Sequence, residues 1–177
     1  MGEILDFDKR KLLIGVLLSD QNILRELKKL LTEKYGPADY TSALLPFHYT
    51  SYYEEEMGTA LKKIFYSFRN LVDPESLPEI KLTTNAIEDD FTQQGKRRIN
   101  LDPGLLDQSR LILATTKDHA HRIPLREGIY GEITLIYTKK QFQDLPWTYP
   151  DFRSKGYKEI LTDIRDIFSE QLKQGYT

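Results

Sequence analysis

The order of its periodic segments predicts an α+β fold, a mixed or mainly antiparallel sheet packed by helices in a single domain. Three observations carry that expectation. Residues 22–35 and 154–172 have apolar side chains at spacings of three and four, as amphipathic helices do. Residues 11–18 are almost wholly apolar between charged flanks, the pattern of a strand buried on both faces. Residues 109–123 and 129–137 read as two extended segments folded against each other. No repeat, low-complexity tract or linker divides the 177 residues, so one domain over 1–177 is expected.

Taken in order, the strand at 11–18 is followed by Asp20, a candidate N-cap, and by a helix carrying Ile23, Leu24, Leu27, Leu30 and Leu31 on one face. Gly36-Pro37 stops it. Residues 41–49 read as a second strand, interrupted or ended by Pro46; were the unit parallel, its crossover would be right-handed. Helical structure is expected by Met57, with a second helix over 59–71 built on Ala60, Leu61, Ile64, Phe65, Phe68 and Leu71. Asp73-Pro74 opens a further segment, read as a helix from about residue 79 to 91 although Pro78 and the alternation of Ile80, Leu82 and Thr84 also suit a strand. Residues 97–101 are short and extended, and Asp102-Pro103-Gly104 reads as a turn. The last helix places Ile160, Leu161, Ile164, Ile167, Phe168 and Leu172 inward.

Composition removes several classes of function. There is no cysteine, hence no disulfide scaffold, thiol nucleophile, cysteine zinc site or iron–sulfur cluster. With 25 basic against 27 acidic residues, and a pI near 6.0, the chain is no general polyanion binder. Its longest apolar run, residues 12–18, is too short to cross a bilayer, and residues 1–8 resemble neither a signal nor a transit peptide, so a cytoplasmic protein is expected. Phosphate-loop, dinucleotide-binding and nucleophile-elbow motifs are all missing.

The chemistry-bearing residues concentrate around the paired segments. On an extended chain His119 and His121 share a face with Lys117, while Arg122 takes the other face unless a bulge intervenes. On the returning segment Tyr130, Glu132 and Thr134 share a face. A two-residue turn at Arg126-Glu127 would set His121 opposite Glu132, a four-residue loop would set His119 there, and an odd loop would separate them. In an even register two imidazoles and a carboxylate can hold a divalent metal or serve as general acid and base, or the imidazoles can join Lys117 in holding an anion. The alternative is a solvated sheet edge. Glu54, Glu55 and Glu56 suit an exposed helix start, and Lys96, Arg97 and Arg98 a phosphate contact or a charged strand entrance. Trp147 and Tyr149, held between two prolines, offer a flat wall for a ring or a plug for the core.

The strings KDHAHRI at 117–123, GIYGEIT at 128–134 and PWTYPDFR at 146–153 resemble an uncharacterised bacterial family, a domain of unknown function. The likeness extends to YYEEEMG at 52–58, IKLTTN at 80–85 and KRRINLDPG at 96–104, and so over most of the chain. Some members of that family carry a loose label of GTP-binding protein, although the usual phosphate loop is lacking here. The resemblance implies a bacterial cytoplasmic domain and leaves its chemistry open.

The expectation is a site for a small phosphate-bearing or nucleotide-like ligand, with catalysis an open question. His119, His121 and Glu132 would transfer protons or hold a divalent metal; Lys117, Arg122, Arg97 and Arg98 would contact an anion; Tyr130, Trp147 and Tyr149 would line the site. The rival is a noncatalytic RNA-binding or protein-interaction module using residues 96–98 and exposed aromatics.

Overall fold

The structure, a computed structural model, describes residues 2–176 apart from the side chains of Glu54 and Glu55. Its central strand, β1 (Arg10–Leu18), is flanked by β4 (Lys62–Val72) and β5 (Ile99–Leu106). Beyond β4 lie β2 (Ala38–Thr41) and β3 (Leu45–Pro46). Beyond β5 come β6 (Arg110–Thr115) and β8 (Ile129–Thr138), which also pairs with β7 (Ile123–Arg126) and β9 (Gln141–Asp144). All these pairings are antiparallel, so the chain is a single α+β domain on a nine-stranded antiparallel sheet, and no parallel crossover arises among the described residues.

Helices cover both faces. Leu12, Ile14, Val16 and Leu18 of β1 pack against α1 (Leu24–Tyr35) and α3 (Leu77–Asp90), while Leu13 joins Phe65, Leu135 and the inner side of α4 (Lys155–Lys173). Double coverage explains why β1 reads as an unbroken apolar run; each such side chain contributes about 1.5–3 kcal/mol on burial. Asp20 accepts a hydrogen bond from the Asn22 backbone N–H at 2.9 Å before a short 3-10 turn, and Ser154 caps α4 by accepting from the Tyr157 N–H. A single helical turn, α2 (Glu54–Met57), lies between β3 and β4.

Four expectations are corrected. Residues 59–71 do not form a helix: most of them build β4, whose Ile64, Phe65, Tyr66 and Phe68 are buried on alternate faces. A strand covered on both sides carries consecutive apolar residues, and some of these fall at helical spacings by coincidence. The strand expected at 41–49 is two short ones, β2 and β3. Asp102-Pro103-Gly104 is no turn but the middle of β5. The long segment at 109–123 breaks into β6, a loop over 116–122 and β7, which takes both histidines off the strand.

The course of β5 creates the feature on which the site depends. It pairs with β1 along its full length but with β6 only over Gly104–Leu106. Backbone groups alternate sides along a strand, and the Leu101 N–H and C=O turn away from β1. Pro103 turns the same way, and as a proline it has no N–H to continue a ladder toward β6. Past that residue the sheet opens. In place of a neighbouring strand, α3 satisfies the exposed backbone of Leu101: the Glu88 carboxylate accepts from its N–H at 2.7 Å, and the Lys81 ammonium donates to its carbonyl at 2.8 Å. Gly104 permits the remaining close approach, since a Cβ there would lie 2.6 Å from Leu113 Cδ2 and 2.9 Å from the Ile112 carbonyl oxygen.

Candidate functional site

Behind the opening lies a cavity of about 540 Å³. Its charged floor comes from neighbouring strands and from the helix that reaches through the gap. Lys63 of β4 crosses Gly15, where a Cβ would stand 2.9 Å from the lysine Cε, and donates to Asp102 of β5 at 2.5 Å. Asn100 donates to the other Asp102 oxygen at 2.8 Å. Lys81, Asn85 and Glu88 enter from α3, and Arg97 binds Glu88 at 3.3 Å, Asn100 at 3.2 Å and Glu56 at 2.5 Å. The walls are Phe47, Tyr49, Tyr53, Tyr149 and Phe152.

Environment separates the carboxyl groups. Burial pushes the Asp102 carboxyl up, but Lys63, Lys81 and Asn100 outweigh it and hold the group below the usual carboxylate range. Burial raises Asp151, which also lines the cavity, and the charge of Asp102 adds to the shift; Lys63 and the Phe152 N–H only partly offset them. Asp151 is 8% exposed and forms no ion pair among the described residues; the Phe152 N–H reaches its Oδ1 at 3.0 Å. Glu88 is raised mainly by burial, against the pull of Lys81. Burial likewise raises the Tyr53 and Tyr149 phenols, with nearby carboxylates adding to it.

The histidine segment adjoins this cavity and supports its wall. β7 and β8 join through a two-residue turn at Glu127-Gly128, both at positive φ, rather than at Arg126-Glu127. A bulge between Pro124 and Arg126 then shifts the register so that Ile123 faces Gly131. Carried one residue further, that register sets Arg122 opposite Glu132. The guanidinium of Arg122 donates to Glu132 Oε2 at 2.8 Å, and His121 Nε2 meets the same oxygen at 2.9 Å. Arg122 therefore shares the side of Glu132, contrary to its expected place on the far face. It also donates to the Lys117 carbonyl at 2.9 Å and to the Tyr149 hydroxyl. Trp147 stacks on His121 at 5.1 Å between centroids and donates from Nε1 to the Ile133 carbonyl at 2.8 Å.

The expected site residues thus divide. Lys117, Arg97, Glu132 and Tyr149 line the cavity; His119, His121, Arg122, Arg98, Tyr130 and Trp147 do not. His119 lies 4.6 Å from His121, ring to ring, but no group of three His, Asp or Glu side chains among the described residues is placed to hold a metal ion. Arg98 pairs with Asp20, and Tyr130 sits opposite Thr115 and Pro124. Lys117 places its ammonium 4.2 Å from the centre of the Tyr52 ring. Glu56 pairs with Arg97, whereas the side chains of Glu54 and Glu55 lie outside the described residues.

Sequence reasoning missed Lys63, Lys81, Asn85, Glu88, Asn100, Asp102 and Asp151. Two signals point to them. Lys63 is a charge inside an apolar strand, which requires a partner, and Asn100 and Asp102 stand two apart on an extended segment and so share a face.

Comparison with known proteins places the chain in a family described as Domain of unknown function (DUF4416), which matches residues 8–168. The chain belongs to that family. No curated protein and no solved structure matches it. No helix of the described residues is long and apolar enough to cross a membrane.

Proposed function

We propose, with membership of the DUF4416 family as the premise, that the protein binds a small nucleotide-like molecule in the cavity beside β5. The observation that carries this reading is the cavity itself, about 540 Å³ with buried polar groups at its floor and tyrosines at its walls. That volume lies within the range of small-ligand sites. Tyr49, Tyr53 and Tyr149 offer surfaces to a flat ring, and the Asn85 and Asn100 amides offer donors and acceptors to its edge. Charge sets the orientation. The buried lysines of the floor are matched by Asp102 and Glu88, so an anion there would meet carboxylates as well as ammonium groups. Lys117 is an exposed cation on the lining with no carboxylate partner among the described residues, and a phosphate group belongs at that rim.

The RNA-binding reading gains little from the same geometry. Of the basic triplet at residues 96–98, Arg97 is engaged by Glu56 and Glu88, and Arg98 by Asp20.

Calorimetry with the four ribonucleoside 5′-monophosphates tests the proposal. At least one binds the wild type, Lys117→Ala weakens it about tenfold, equivalent to about 1.4 kcal/mol, and His119→Ala leaves it unchanged. Absence of binding by all four overturns the reading. So does preferential capture of single-stranded RNA that collapses as salt rises and ignores Lys117→Ala.

A further inference from the structure

We infer that Asp102 and Asp151 form an acid–base pair that hydrolyses the bond between ring and sugar of a nucleoside monophosphate held in this cavity. The inference rests on the binding reading above and adds a reaction to it. Both carboxyl groups line the same cavity, yet their surroundings differ. Asp102 accepts from the Lys63 ammonium at 2.5 Å and from Asn100 at 2.8 Å, contacts that favour the ionised form. Asp151 is more than nine-tenths buried and has no cation within ion-pair distance among the described residues, with its Oδ1 taking a single backbone donor. Lys63, Asp102 and the phenols of Tyr53, Tyr149 and Tyr157 are the titratable groups whose charges bear on it. A buried carboxyl with one backbone donor and no cation beside it, lining a cavity, is costly to ionise and so keeps its proton or gives it to a ligand. Two carboxyls driven apart in this way divide into a base and an acid.

The pose locates the bond. With phosphate at the Lys117 rim and the ring inward, the proposed pose turns the sugar and its link to the ring toward the carboxyl pair that lines the same cavity. A water molecule attacks the anomeric carbon and loses a proton to Asp102 as its oxygen bonds to that carbon. The carbon–nitrogen bond breaks, its electron pair going to the ring nitrogen, which takes the proton of Asp151. Nucleotide and water become free base and sugar phosphate; solvent then returns a proton from Asp102 to Asp151. No oxidant or metal enters the balance.

The test incubates the full chain with each of the four ribonucleoside 5′-monophosphates and follows free base by chromatography, with calorimetry in parallel. Base release by the wild type is expected, together with a bell-shaped pH profile. Asp151→Asn slows release at least a hundredfold while binding stays within a few-fold of wild type. Asp102→Asn does the same; because it strands the Lys63 ammonium, its folding is checked by circular dichroism, and Asp151→Asn alone decides if it fails to fold. Binding without base release overturns the hydrolysis and leaves the binding reading standing, whereas absence of binding overturns both. Release undiminished in Asp151→Asn also overturns the assignment.

Discussion

Glu132 is a case in which one side chain serves structure and site together. It is 1% exposed, lines the cavity, and takes Arg122 and His121 on the same oxygen. Glu132→Gln removes the negative charge and strands a guanidinium that is itself largely buried, a change that costs about 3–5 kcal/mol; urea unfolding with matched slopes measures it. Tyr157 presents the opposite case. Its hydroxyl is buried without a hydrogen-bond partner among the described residues, between the rings of Phe65 and Phe152. Tyr157→Phe therefore leaves stability unchanged or raises it by about 1–3 kcal/mol, the cost of an unsatisfied polar group, with thermal melting as the check. At this scale the sequence made the meeting of His121 and Glu132 legible but not its cause. Parity arguments assume regular pairing, and the bulge in β7 brought Arg122 to the carboxylate instead. Lys63 and Asp102 left only faint local signals, a charge in an apolar strand and a two-residue spacing, and Asp151 left none, because the cavity is made by chain segments distant in sequence.

Among the elements, β5 does most to shape the molecule, and it was misread at its centre. Pro103 and Gly104 are turn residues by composition, yet here the first ends a ladder and the second lets two strands approach. Gly104→Ala pushes a methyl group into Leu113 and the Ile112 carbonyl and is expected to cost about 1–3 kcal/mol, the usual penalty of overpacking. Glu88→Ala leaves the Leu101 N–H without its acceptor. Hydrogen exchange of that amide should accelerate well beyond the global change in stability, and equal acceleration across β5 would contradict the local account. Helices α1 and α4 were legible because each carries one apolar stripe; α3, which buries Lys81, Thr84 and Glu88 beside its apolar residues, was legible only with a strand as the alternative, and β4 was not, because burial on both faces erases the alternation that marks a strand.

Over the whole molecule, the fold class was readable from the order of segments, but the opened sheet was not, since it follows from pairing between segments far apart in the chain. Carboxyl groups at that opening, together with Asp107 in the turn between β5 and β6, give stability a two-sided dependence on pH. Asp102 and Asp107 lie below their ordinary values, so their contribution is present above about pH 4 and is lost as pH falls through the depressed values. Glu88 and Asp151 lie above theirs; their contribution is full below about pH 4 and is lost as pH rises through the raised values. Asp151→Asn removes one of these losses, so its stability relative to wild type should grow from pH 4 to pH 7 in denaturant titrations. Such a gain is expected where a buried group is retained for function at the expense of stability. The central claim is that ligand enters the gap between β5 and β6, and amide chemical shifts on titration with a bound nucleoside monophosphate test it most directly. Shifts concentrated at Asn85, Asn100, Ala114 and Phe152 are predicted; shifts confined to the loop of His119 and His121, or to residues 96–98, would contradict it.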